Sequence, residues 1–127
     1  MQEKHLYEYA VIRVVPSVVR EEFLNIGVIL YCKQQRYLQT IYTLNEEKIR
    51  SLAPDIDLEE LNAYLVAFEQ IAAGHRDAGP IAKLDQPSRF RWLTATRSTI
   101  IQSSKVHPGL CGDLSGTLQR LHAQLVL

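Results

Sequence analysis

Apolar positions in the first third of the chain fall into three runs separated by polar turns. Over residues 6–15 aromatic and β-branched residues dominate, which predicts a strand with Tyr7, Tyr9, Val11 and Arg13 on one face, ending where Pro16 withdraws a ladder donor. Residues 24–32 are almost continuously apolar, the pattern of a central strand covered on both faces. A third candidate, residues 36–44, follows a polar turn at 33–35. Together they predict an antiparallel meander.

The pattern then changes period. Asp57 is an N-cap with Glu60 three residues on, and Leu58, Leu61, Leu65, Phe68 and Ile71 or Ala72 recur at helical spacing until Gly74 stops the helix. Residues 74–86, with Gly79 and Pro80 around an apolar step at 81–84, read as a connector. Phe90 and Trp92 alternate with Arg89, Arg91 and Leu93, which predicts a strand with an aromatic face toward the core and a cationic face outward, and residues 99–106 form its partner. Pro108 and Gly109 turn the chain, Asp113 caps, and Leu114, Leu118, Leu121 and Leu125 form a closing amphipathic helix. The expected architecture is one α+β domain, residues 1–127, with a mostly antiparallel sheet of about five strands and two or three helices packed on it. Its parts are a meander (6–44), a helical middle (46–74), a connector (75–87) and a strand pair with a helix (88–127), the two amphipathic helices covering one face.

A length of 127 residues suffices for a core without staples. With 14 Lys plus Arg against 14 Asp plus Glu, overall charge disfavours a protein that coats nucleic acid, and the ribonucleoprotein motif is absent. Two cysteines, no leader pattern and no apolar run long enough to span a bilayer point to a cytoplasmic protein with free thiols and no membrane. Cys32 reads as a core residue and Cys111 as partly exposed. The four histidines are widely spaced, no CxxC pair exists and no glycine-rich phosphate loop is present, so neither a metal nor a cofactor is expected.

Charge is uneven locally. Residues 88–113 hold Arg89, Arg91, Arg97, Lys105 and His107 among hydroxyls, with no acid before Asp113, a composition suited to a phosphate or an acidic surface. In the first third, Arg20, Glu21, Glu22 and Asn25 precede the central strand, and Asn25 and Gly27 interrupt its apolar run, as a ligand contact or a bulge would require.

The two blocks VIRVVPSVVREEFLNIGVILYC and FRWLTATRSTIIQSSKVHPGLCGD, in this order, resemble the family catalogued as domain of unknown function 3037. Positions of that pattern are Arg13, Pro16, Arg20, Glu21, Asn25 and Gly27 in the first block, and Trp92, Arg97, Ser98, Ser103, His107 and Gly109 in the second. The resemblance implies kinship without an activity, and it suggests a HipA-like kinase as a partner.

The functional expectation is a small binding or regulatory protein, leaning away from an enzyme. Its site of Arg13, Arg20, Glu21, Asn25, Arg97, Ser98, Ser103, Lys105 and His107 would take a phosphate-bearing small molecule or an acidic surface of a kinase-like partner. The alternative is a metal-dependent phosphodiesterase or nuclease with Glu21 or Glu22 as ligand or base, His107 as acid and Arg97 stabilising phosphoryl charge. A third reading makes Ser98, Ser103 or Ser104 a phosphorylation target. Pairing of exposed sheet edges would give a homodimer.

Overall fold

A computed structural model describes residues 3–17, 20–95 and 99–127. Strands β1 (His5–Ser17), β2 (Glu22–Cys32) and β3 (Tyr37–Tyr42) form the expected meander. Helices α1 (Glu46–Leu52) and α2 (Leu58–Ala73), a single 3-10 turn (Ile81–Lys83) and helix α3 (Gln86–Leu93) follow. Strands β4 (Ile101–Ser103) and β5 (His107–Cys111) and helix α4 (Leu114–Leu125) complete the fold. Among the described residues the sheet is antiparallel throughout, an α+β arrangement of five strands and four α-helices.

Strand β1 is the axis of the sheet. One side pairs with β2, which pairs with β3; the other side pairs with β4 near Ile12–Val14 and with β5 from His5 to Tyr9. The two late strands therefore do not form a hairpin, but lie end to end along β1. Between them Ser104 keeps the ladder satisfied: its N–H donates to the Val11 carbonyl (2.8 Å) while its Oγ accepts from the Val11 N–H (2.8 Å) and donates to the Lys105 carbonyl (2.8 Å). A side-chain oxygen thus stands in for a strand carbonyl, and the outer chain bends without orphaning the buried donor of Val11. Pro108 is tolerated within β5 because this is an edge strand.

Because β2 is apolar at every position from Ile26 to Cys32, both of its faces must be covered. On one face Ala10, Ile12, Val14, Ile29 and Tyr31 meet Ile49 of α1, Leu61 and Leu65 of α2, and Phe90 and Leu93 of α3. On the other, Tyr7, Val28, Leu30 and Cys32 meet Leu114, Leu118 and Leu121 of α4. The expectation that both amphipathic helices share a face is corrected: α2 and α4 lie on opposite sides of the sheet, as a two-faced central strand requires. Burial pushes the Tyr31 phenol up, with the Glu8 carboxylate adding to the shift. Cys32 and Cys111 are both buried, Cys111 at 9% exposure, so the expected partial exposure of Cys111 is also corrected.

The segment 88–93 is helical, not a strand. Asp85 caps α3 by accepting from the Ser88 N–H (2.9 Å), and Pro87 sits in the first turn, where its missing N–H costs nothing. Hydrogen bonds from the Ser88 side chain and N–H hold the Asp85 carboxyl below the usual range. Phe90 and Leu93, three residues apart, enter the core, whereas Arg91 and Trp92 are exposed. The helix takes two cations out of the expected basic patch. Arg89 donates to the carbonyls of Leu84 (2.6 Å) and Ala72 (3.4 Å), tying α3 to the end of α2, and Arg91 clamps Glu8 of β1 through two bonds of 2.8 and 3.1 Å.

Two outcomes test this packing. A Cβ at Gly109 would stand 2.4 Å from the Tyr7 ring, so Gly109→Ala should cost about 1–3 kcal/mol in urea unfolding. That cost should largely disappear when Tyr7 is also changed to Ala, and simple addition of the two losses would contradict the contact. Arg89→Met should cost about 1–2 kcal/mol through the stranded carbonyls, whereas Arg91→Met, which breaks an ion pair open to solvent, should cost under about 1 kcal/mol. A larger loss at Arg91 than at Arg89 would reverse the assignment.

Candidate functional site

Alternation along β1 carries Tyr7, Tyr9, Val11 and Arg13 to the face that α4 covers. A bulge then decides what Arg13 meets. Ile12 pairs with Gly27, but Arg13 pairs with Asn25, leaving Ile26 as the extra residue of β2. Continuous pairing would have set Arg13 against Ile26; the slip brings the guanidinium and the amide to one face, with Phe23 two residues further on the same side. Gly27 beside the bulge is required by close approach, since a Cβ there would lie 2.8 Å from the Ile41 carbonyl and 2.9 Å from the Tyr42 Cβ.

At this end of the sheet the Arg13 guanidinium lies over the Phe23 ring, 4.1 Å from its centroid, and Phe23 itself is 48% exposed. The Asn25 Nδ2 donates to the Leu125 carbonyl at the end of α4 (3.1 Å). Its Oδ1 and the Arg13 Nε are both buried with no hydrogen-bond partner among the described residues. One acceptor and one charged donor are thus left open next to an exposed aromatic ring, where buried polar atoms are ordinarily satisfied. Gln102 of β4 stands opposite Arg13 but is engaged with the Thr99 carbonyl (3.0 Å).

The other expected residues are spread along β1. His107 pairs with Tyr9, its ring 5.3 Å from the tyrosine ring, on the same face as Arg13 but four residues away, roughly 14 Å of strand. Lys105 is exposed in the link between β4 and β5. Ser103 pairs with Ile12 on the opposite face, its Oγ donating to the Ser104 carbonyl (2.9 Å). Arg20 and Glu22 form an ion pair of 2.8 Å at the β1–β2 turn, where Glu21 is exposed and holds a left-handed backbone with φ 55°. Arg97 and Ser98 lie outside the described residues.

Glu22 pairs with Ser17 and His107 with Tyr9, eight residues apart on β1, so these groups stand roughly 27 Å apart along the strand. Among the described residues no three of His, Cys, Asp and Glu gather where they could hold a metal ion, and no helix is long and apolar enough to cross a membrane.

Sequence reasoning singled out Arg13 and Asn25 but missed Phe23 and the α4 terminus. Phe23 had a signal, because on an alternating strand it shares a face with Asn25. A cleft of about 540 Å³ on the opposite face was also missed. It lies between α2, the end of α3 and β4, walled by Tyr64, Phe68, Ile71, Trp92, Ile100 and Ile101. The wall that Trp92 and Leu93 supply depends on residues 88–93 being helical, which the expected strand there would not provide.

Comparison with known proteins gives one finding. No curated protein and no solved structure matches the chain. The family model described as protein of unknown function (DUF3037) matches residues 9–126. That match takes in β1 from Tyr9, the bulge, the Ser104 junction and all of α4, and on this evidence the chain belongs to the DUF3037 family.

Proposed function

We propose that the protein is a binding or regulatory protein whose recognition centre is Arg13, Phe23 and Asn25, and that it takes the anionic group of a phosphate-bearing ligand or of an acidic partner surface. The observation that carries this reading is the pair of unmet groups, Arg13 Nε and Asn25 Oδ1, brought to one face by the bulge. A charged guanidinium donor in a partly desolvated position favours a phosphate or carboxylate oxygen. The open Asn25 oxygen asks for a donor as well, which a phosphate monoanion or a hydroxyl beside the anion supplies. Phe23 holds the guanidinium from below and offers a flat surface to whatever the anion is attached to.

A kinase-like protein with an acidic patch fits the partner side of this reading, in keeping with the expectation drawn from the family resemblance. Binding is favoured over phosphoryl hydrolysis because a carboxylate from the β1–β2 turn and the His107 imidazole stand too far apart to act on one bond. The hydroxyl of Ser104 is buried and committed to Val11, which weighs against it as a phosphorylation target.

Inorganic phosphate, phosphoserine and adenosine monophosphate, titrated separately at low ionic strength and followed by nitrogen-detected NMR, test the reading. At least one should shift the Arg13 side-chain resonance together with the Asn25 amide. Arg13→Gln should weaken that binding roughly 10- to 100-fold, the worth of a charge-assisted hydrogen bond. Affinity unchanged in Arg13→Gln, or shifts confined to Lys105 and His107, would refute this centre.

A further inference from the structure

Among the described residues, strand β4 is hydrogen-bonded on one side only. The bonds from Val15 N–H to the Ile100 carbonyl (2.7 Å) and from Ser104 N–H to the Val11 carbonyl (2.8 Å) set the parity of the ladder. Residues 100, 102 and 104 turn their main-chain groups toward β1, and Ile101 and Ser103 turn theirs outward. Thr99 Oγ1 donates to the Ile101 carbonyl. No described group takes the Ile101 N–H, the Ser103 N–H or the Ser103 carbonyl. An open edge of this kind is a template for another strand.

The same two residues border the cleft. Ile101 and Ser103 line its floor, facing Tyr64, Ala67 and Phe68 of α2 and Trp92 of α3. At about 540 Å³ the cleft lies within the range of functional binding pockets, and no charged side chain is among its described lining residues. The open edge and the cleft together restrict the occupant. A compact apolar molecule would fill the cleft and leave the edge groups to water, while a helix laid there would cover them without offering partners. An extended chain meets both requirements: its main chain completes the outward groups of β4, and its period of two sends every second side chain into the cleft.

We propose that this edge is a peptide-binding site, at which an extended segment of a partner protein adds a strand to β4 and inserts uncharged apolar side chains between β4 and α2. The site is independent of the Arg13 centre, which lies on the other face of the sheet.

The probe is a synthetic array of fluorescein-labelled nine-residue peptides in which Thr alternates with Leu, Ile, Val, Phe or Met, read by fluorescence anisotropy against the full chain. At least one peptide should bind saturably and slow amide exchange at Ile101 and Ser103. N-methylation of its alternate amides on the β4-facing side should weaken binding tenfold or more. Ala67→Arg, a change at an exposed helical position on the cleft wall, should do the same with the melting temperature retained, and Ser103→Pro should remove the outward donor with a like loss. Absence of saturable binding across the array would overturn the proposal. Equal binding of the N-methylated peptide would overturn it in favour of a simple apolar pocket. Sedimentation showing two copies paired through β4, with the peptide excluded, would overturn it in favour of a homodimer edge.

Discussion

The fold depends on how Val11, at the middle of the central strand, keeps both of its main-chain groups bonded while its outer neighbour bends. Ser104 supplies an N–H to one and a hydroxyl oxygen to the other, and it is 6% exposed, so water cannot readily replace it. From this junction β5 runs along the first half of β1 and β4 along the second. Without it the outer chain would have to continue straight, or leave a buried donor open at a cost of about 1–3 kcal/mol. The sheet is therefore five strands laid in four rows, and β1, the longest at 13 residues, is central to all of them.

A sheet covered on both faces has recognition surfaces left only where a helix stops or a strand edge is open. Both conditions arise beside β4. On one face α4 ends at the Leu125 carbonyl, which takes the Asn25 amide, and Arg13 and Phe23 lie next to that end. On the other, α2 and α3 leave a gap over Ile101 and Ser103. Because β4 alternates, the face of Gln102 is that of Arg13 and the face of its two neighbours is that of the cleft, and three residues border two chemically different surfaces. The first offers charge and hydrogen bonds, the second apolar walls and main-chain groups.

Much of the scaffold was legible in the sequence because its periods are long. The meander, α2 from the Asp57 cap to Gly74, and α4 from the Asp113 cap each extend over enough residues for one period to prevail. Helix α3 was not legible, since over the five residues from Arg89 to Leu93 alternation and helical spacing fit almost equally well. The start signal Asp85-Gln86-Pro87 was hidden in a stretch whose Gly79 and Pro80 read as loop. The placement of helices on both faces is implicit in the unbroken apolar run of β2, because a doubly buried strand needs a cover on the side opposite α2, and α4 supplies it. At the candidate site, Asn25 and Gly27 marked the irregularity, yet a bulge and a ligand contact give the same sequence signal. Only the register tells which cross-strand partner Arg13 meets. Arg89 and Arg91 illustrate the opposite failure: a cluster of cations in sequence becomes, on a helix, two separate structural contacts.

The most direct measurement is hydrogen exchange combined with urea unfolding on Ser104→Ala and, as its neighbour control, Ser103→Ala. Loss of the Ser104 hydroxyl should destabilise the protein by about 1–3 kcal/mol and speed amide exchange at Val11 and along β4 and β5 more than along β3, whereas Ser103→Ala should stay within about 1 kcal/mol of the parent. A Ser104→Ala protein as stable as the parent, with Val11 still protected, would contradict the role given to this junction.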